Sequence, residues 1–384
     1  MNRYNIMHKD KLVAQAEDSR VTAVFDKALC PNSIFVDADL EVWLKSRSID
    51  THRSNSRRLY KFLRMKTDAD IDEIINIGHG ITITDNWWIQ REDEMLDYSS
   101  LKQYNEELAD ISLYGFSNKC KDKSKGYTQL GTIGSYEKAW RFSDDAWYMY
   151  KLGSKTELIS EYYAHCFLKK LNVNCAEYKV ERRVLETGLE QECIITKDFT
   201  QNALFDFEPF FNYFNDNEDP DFILTRLAQM EKNNTMSGLV EDYVKMCYYD
   251  ALLMNVDRHN LNAGFLRDSE NGGILCLAPC FDYNLSLSAA VSLHFSEAKA
   301  DLMKYFTDND RLMDVMGPLM PGREEIISAV ATAEKMTKKA FPNDTFKYSL
   351  FSDYIVSAYD YCNKIISHNN TYKKNYSGHF LPRV

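Results

Sequence analysis

The stretch from Leu239 to Asp282 constrains this chain more than any other part of it. It reads as an apolar helix, a short polar turn and a two-stranded hairpin in immediate succession. In Leu239–Asn255 the residues Tyr243, Met246, Cys247, Ala251 and Met254 recur with helical spacing, which predicts one buried face. Asp257-Arg258-His259-Asn260-Leu261-Asn262 follows at once. Ala263–Leu266 and Ile274–Ala278 then predict a hairpin whose far arm delivers Phe281-Asp282. This order calls for a mixed α+β architecture.

The spacing also suggests a chemistry. Phosphoryl transfer asks for a group to orient the acceptor hydroxyl, oxygen ligands for magnesium, and a cation on the triphosphate. Asp257 and Asn262 stand five residues apart at the end of the apolar helix, and Asp282 lies twenty-five residues after Asp257. A D-x-x-x-x-N pair alone is commonly a helix cap or a turn. Within the order helix, D-R-H-x-x-N, hairpin, A-P-x-F-D, it stands where that chemistry needs it.

Met254-Asn255-Val256-Asp257-Arg258-His259-Asn260-Leu261-Asn262-Ala263-Gly264-Phe265 and Leu277-Ala278-Pro279-Cys280-Phe281-Asp282 resemble the catalytic and metal motifs of HipA-like serine/threonine kinases. More distantly, D-R-H-x-x-N is similar to the phosphoinositide-kinase loop. In both groups the His follows the Asp, whereas in eukaryotic-type protein kinases a His-Arg pair precedes it. The resemblance implies ATP and magnesium as cofactors, Asp257 as the catalytic Asp, and Asn262 and Asp282 as metal ligands. It leaves His259 as a support of the loop.

The upstream sequence supplies the remaining parts. Tyr127–Ile133, Glu137–Phe142 and Ala146–Tyr150 predict a strand meander; a helix follows through Ile159, Tyr162, Tyr163, Cys166, Phe167 and Leu171. Ala176–Val184 and Glu192–Lys197 predict two further strands. Lys151 ends an aromatic strand, with Glu161 its expected helix partner and Glu157 one turn earlier the alternative. Glu161 also falls where HipA-like kinases carry their helix glutamate. Gly134 and Ser135, in Gly131-Thr132-Ile133-Gly134-Ser135-Tyr136-Glu137-Lys138, resemble the family's phosphate loop. Gly131 stands where many relatives carry an autophosphorylated serine, which leaves Thr132 and Ser135 as candidate substitutes. The adenine-facing hinge is expected at Thr196-Lys197-Asp198-Phe199, so Lys197 and Phe199 join the nucleotide-binding set.

The expected fold is therefore α+β and bilobal, protein-kinase-like, with a β-rich N-lobe at 119–200 and a mostly helical C-lobe at 201–384. Helices are expected at Phe222–Glu231, Arg323–Phe341 and Leu350–Ile366 in that lobe. Residues 1–118 form an N-terminal accessory region, with helical pieces at Phe35–Leu44 and Leu59–Met65 and a strand pair at Ile81–Thr84 and Trp87–Ile89.

Composition narrows the partners. A formal charge of −11 argues against direct nucleic-acid binding, although Lys45–Lys66 carries a basic run that reads as a solvated helix face. Nine cysteines without a C-x-x-C pair suit a reducing cytoplasm better than a zinc site or disulfide framework. No apolar run approaches membrane-spanning length, and Met1–Ala14 is polar. The resemblance implies a protein substrate and a small antitoxin-type partner, as in toxin–antitoxin systems. A lipid or small-molecule kinase and a non-catalytic nucleotide-binding regulator are the alternatives.

Overall fold

The computed structural model describes residues 2–49, 55–63, 66, 70–115, 136–184, 190–234, 236–287, 301–343 and 345–377. They group into two units. One comprises Met1–Gly153, Ala176–Asp216 and Asn260–Ala278; the other comprises Ser154–Cys175, Asn217–His259 and Pro279–Val384.

The first unit holds three antiparallel sheets. Strands β1 (Arg3–His8), β2 (Lys11–Glu17) and β3 (Arg20–Val24) form an N-terminal meander, and β4 (Trp87–Arg91) pairs with β1 to give the order β3-β2-β1-β4. This meander lay outside the sequence expectation. Charged residues at its turns make the segment read as polar, whereas Tyr4, Ile6, Val13, Ala14 and Ala16 pack into one core with Trp87 and Ile89. Trp87 and Trp88 are both buried, as packing residues should be.

The expected strand at Ile81–Thr84 does not form, and β4 takes β1 as its partner instead. A buried arginine is the reason. Arg47 donates to the Gly80 carbonyl at 2.6 Å, to the Trp87 carbonyl at 3.1 Å and to both oxygens of Asp85 at 2.6 and 2.9 Å. The loop's backbone therefore turns toward the guanidinium rather than toward a neighbouring strand. The same pairing removes Arg47 from the solvated face expected of the basic run.

The second sheet contains β5 (Lys138–Ser143), β6 (Ala146–Lys151), β7 (Tyr178–Val184) and β8 (Glu190–Lys197) in the order β5-β6-β8-β7. Asp144 and Asp145 close the β5–β6 hairpin with φ of +50° and +58°. A two-residue hairpin turn needs this left-handed geometry, and Asp tolerates it. Helix α1 (Glu106–Tyr114) packs Ala109 and Leu113 against Ala139 of β5. The expected strand Tyr127–Ile133 lies outside the described residues.

The third sheet joins β9 (Phe205–Pro209) to the expected hairpin of β10 (Gly264–Asp268) and β11 (Ile274–Leu277). β9 has an inverted pattern, with Asp206 and Glu208 buried and Phe205 and Phe207 half-buried. The two carboxylates have partners waiting. Asp206 Oδ2 meets His8 Nε2 at 2.7 Å, and Glu208 receives Arg267 Nη1 at 2.5 Å and the Tyr213 hydroxyl at 2.7 Å. A buried charge is tolerable only with such company.

The second unit is helical. Helix α2 (Lys155–Lys170) opens on a capping box between Ser154 and Glu157 and buries Leu158, Ile159, Tyr163 and Phe167. Helix α3 (Pro220–Asn234) precedes α4 (Leu239–Leu252), which is buried on most of its circumference. Then come α5 (Asp301–Asp308), α6 (Asp310–Met316), α7 (Arg323–Ala340) and α8 (Ser349–Ser377). Aromatic edges join these helices: Tyr163 to Phe351 at 5.1 Å, Phe167 to Tyr249 at 6.5 Å, and Tyr248 to Phe306 at 5.6 Å. Each such buried ring contributes about 1.5–3 kcal/mol by area alone. No helix among the described residues is long and apolar enough to cross a membrane.

Candidate active site

Helix α4 places one acidic residue, Asp250, among its buried apolar side chains. Its carboxylate gathers the turn that follows. Asn255 donates its backbone N–H to the Asp250 carbonyl at 2.8 Å and its side-chain amide to Oδ1 at 3.0 Å. Arg258 donates Nε to Oδ2 at 2.8 Å and Nη2 to Oδ1 at 3.0 Å. Met254, at φ +48°, ends the helix and lets the chain double back. Asp257 sits between these two anchors, its N–H directed at Asn255 Oδ1 at 3.4 Å and its side chain half-exposed. The turn is thus fixed by its neighbours while Asp257 itself faces partly outward.

Arg258 also reaches the segment that carries Asp282. Its Nη1 donates to the Phe281 carbonyl at 2.8 Å, and its guanidinium lies 4.9 Å from the centre of the Tyr283 ring. Burial opposes the Arg258 charge, but Asp250 and Tyr283 more than offset it and hold its pKa well above the ordinary value. Two backbone bonds continue the seam, Val256 N–H to Leu285 at 3.4 Å and Leu287 N–H to Leu253 at 3.1 Å. Asp282 has φ +61°, a left-handed conformation that Asp and Asn tolerate better than most residues. The residues before Arg258 and after Phe281 are therefore the two acids expected to act together.

The sheet unit gathers a different pair. Lys151 ends β6, is 9% exposed, and has Lys138 as its direct cross-strand partner. Leu152 N–H donates to the Glu137 carbonyl at 2.9 Å, and the Lys151 ammonium lies 5.5 Å from the centre of the Tyr136 ring. The Tyr136-Glu137-Lys138 end of the expected phosphate loop thus lies beside Lys151. Gly134 and Ser135 themselves lie outside the described residues, as do Gly131 and Thr132.

Of the two glutamates considered for Lys151, Glu157 accepts the Ser154 N–H at 2.7 Å in the capping box, whereas Glu161 is buried one turn further along α2. Asn262 is buried within a loop held by Asn260, whose amide donates to the Asn215 carbonyl at 2.7 Å. His259 is half-buried.

The expected hinge is built more tightly than its sequence suggested. Asp198 N–H donates to the Trp147 carbonyl at 2.9 Å. Its buried carboxylate accepts the N–H groups of Thr200 at 2.9 Å and Asn202 at 2.8 Å. Burial pushes its pKa up against these bonds. Gln201, Asn202 and Ala203 then run at φ +56°, +61° and +59°, a left-handed turn held by those contacts. Phe199 packs edge-on against Phe207 at 5.5 Å, and Lys197 is exposed opposite Tyr148. Tyr148 is three residues before Lys151 on β6, so the two lysines are separated by about 10 Å of strand.

Asn255 and Arg258 stand in the motif without an expected part, and Asp250 lies outside it. A carboxylate on the apolar face of a predicted helix was the available signal for Asp250. Among the described residues, no group of three or more His, Cys, Asp and Glu side chains could hold a metal alone.

No family model and no curated protein matches the chain. Two solved structures are similar to it. The Helicobacter pylori proinflammatory kinase CtkA has 19% identity and a TM-score of 0.42, over 62% of this chain and 95% of its own. A chain from the complex of the Shewanella oneidensis MR-1 toxin–antitoxin system HipA and HipB with operator DNA has 13% identity and a TM-score of 0.46, over 95% of this chain and 97% of its own. The chain resembles HipA-like kinases. With both TM-scores below 0.5, the roles of single residues rest on the chain's own motifs and geometry.

Proposed function

We propose that the chain is an ATP- and magnesium-dependent protein kinase of HipA-like type that phosphorylates a serine or threonine hydroxyl. The observation that carries this reading is the Arg258 link, which joins the Asp257 turn to the segment bearing Asp282. A helix cap or an ordinary turn has no need of a second acidic segment stapled to it.

Asp257 orients the acceptor hydroxyl and takes its proton as the oxygen attacks the γ-phosphorus and the bond to ADP breaks. Lys151 places its charge on the triphosphate, with Glu161 as countercharge. Gly134 and Ser135 offer backbone N–H groups to the phosphates, and Lys197 and Phe199 belong to the adenine side. Asn262 and Asp282 supply oxygen ligands, and His259 supports the catalytic turn. Magnesium, when bound, neutralises charge on the phosphate oxygens.

The same reading divides the chain into an accessory region at 1–118 and two lobes at 119–200 and 201–384. It includes a cytoplasmic setting and a small antitoxin-type partner. Labelled ATP should transfer phosphate to protein in cells expressing the wild type and not in cells expressing Asp257→Ala. Full activity of Asp257→Ala would overturn the assignment. Label in an organic-soluble product would redirect it to a lipid acceptor, and nucleotide-dependent thermal stabilisation without turnover to a non-catalytic regulator.

A further inference from the structure

The cysteines of this chain are not equivalent. Burial pushes the thiols of Cys30, Cys247 and Cys362 up to about 12 and those of Cys166 and Cys193 up to about 11. Thiols of that kind are inert toward oxidants. Cys175 differs in its neighbour: half-buried just beyond the end of α2, it has its Sγ 4.0 Å from His165 Nδ1. An imidazole at that position can take the thiol proton and leave the more nucleophilic thiolate.

Cys175 also has a cysteine directly opposite. Outside the named strands, Cys175 and Cys280 form an isolated parallel β-bridge, fixed by the Cys280 N–H donating to the Asn174 carbonyl at 2.9 Å. Residues paired across neighbouring strands lie about 4.8 Å apart with their side chains on the same face. A disulfide spans Cα atoms about 4.4–6.8 Å apart. Cys175 is partly exposed, so a small oxidant can reach it, whereas burial pushes the Cys280 thiol up to about 11, so Cys280 acts only on the oxidised Cys175 opposite it.

We propose that Cys175 and Cys280 form a peroxide-reactive dithiol that closes to a disulfide. The Cys175 thiolate, its proton passed to His165, attacks one oxygen of hydrogen peroxide. The O–O bond breaks, giving a sulfenic acid on Cys175 and a hydroxide that recovers the proton as water. The Cys280 sulfur then attacks Cys175 Sγ, the S–S bond forms, and the sulfenic hydroxyl leaves with the Cys280 proton as a second water. Peroxide is reduced and the two thiols are oxidised. The bond lies one residue from the Phe281 carbonyl that Arg258 holds and two from Asp282.

The test is peroxide treatment of the reduced full chain, alkylation of the remaining thiols, and peptide mass mapping. The expected product is a single linked peptide pair containing Cys175 and Cys280, released by dithiothreitol. Cys280→Ser should instead trap the sulfenic acid on Cys175 as a dimedone adduct, and Cys175→Ser should give neither adduct nor link. Recovery of both wild-type peptides fully alkylated would overturn the proposal, as would linkage of Cys175 to a different cysteine. The readout is mass, so its outcome is separable from whether the chain transfers phosphate.

Discussion

Arg258 Nη1 donates to the Phe281 carbonyl at 2.8 Å while the rest of the same guanidinium is held by Asp250. One side chain therefore sets the spacing between the Asp257 turn and the Asp282 segment. The pair is largely buried, with side-chain exposures of 13% for Arg258 and 9% for Asp250. Removing one partner strands the other charge, which costs about 3–5 kcal/mol. Arg258→Ala should show a loss of that order in denaturant unfolding, together with loss of phosphate transfer. Asp250→Ala should show a similar loss, and the double variant should lose less than the sum. Strict additivity would mean that the two charges are not coupled.

Charge and backbone shape can be separated at the two acids. Asp282 sits at φ +61°, which Asn tolerates and a β-branched residue does not. Asp257→Asn and Asp282→Asn should each unfold within a degree or two of the wild type. Each should lose about 10²–10⁴-fold in phosphate transfer, the scale of a missing proton acceptor or metal ligand. Asp282→Val should lose thermal stability as well. Equal melting points for Asp282→Asn and Asp282→Val would refute the backbone argument.

Local periodicity made much of this molecule legible. The apolar stripe of α4, the β10–β11 hairpin and the β5–β6 turn each carry their signal within about a dozen neighbouring residues. What escaped depends on distant partners. β9 looked unlike a strand because Asp206 and Glu208 face inward, toward His8 and Arg267. Ile81–Thr84 looked like a strand because nothing local reveals that Arg47 claims the carbonyls of Gly80 and Trp87 on either side of it. The motif named Asp257 and Asp282, but the contact that relates them runs through Asp250 and Phe281, eight residues before and twenty-three after Arg258.

Gly264 opens β10 two residues after Asn262, and its position leaves no room for a side chain. A Cβ there would stand 2.4 Å from the Glu208 carbonyl oxygen and 2.8 Å from Pro209 Cα. Both are backbone atoms, so neither can swing aside. Gly264→Ala must push β9 and β10 apart, at a cost of about 1–3 kcal/mol. A lower melting temperature with reduced activity is the expected result. An unchanged melting temperature would show that the β9–β10 contact is looser than its geometry implies.

Lys102 provides a pH test of the packing around Asp85 and Tyr98. Its ammonium donates to the Asp85 carbonyl at 2.8 Å and lies 5.5 Å from the centre of the Tyr98 ring. Desolvation, the largest influence, pulls its pKa down to about 8 despite the opposing pull of Asp85, Asp198 and Asp206. Between about 8 and the ordinary 10.5, the folded chain binds fewer protons at this site than the unfolded chain does. Stability from this group therefore rises with pH through that window. Below it the ammonium is charged in both states and the full burial penalty applies. Lys102→Met removes the titration and keeps most of the apolar stem. In denaturant unfolding, wild type should gain on Lys102→Met by at most about 1.4 kcal/mol per pH unit across the window, and by less where solvent screens the charge. Parallel stability curves for the two proteins would show that the ammonium is not held in a desolvated site.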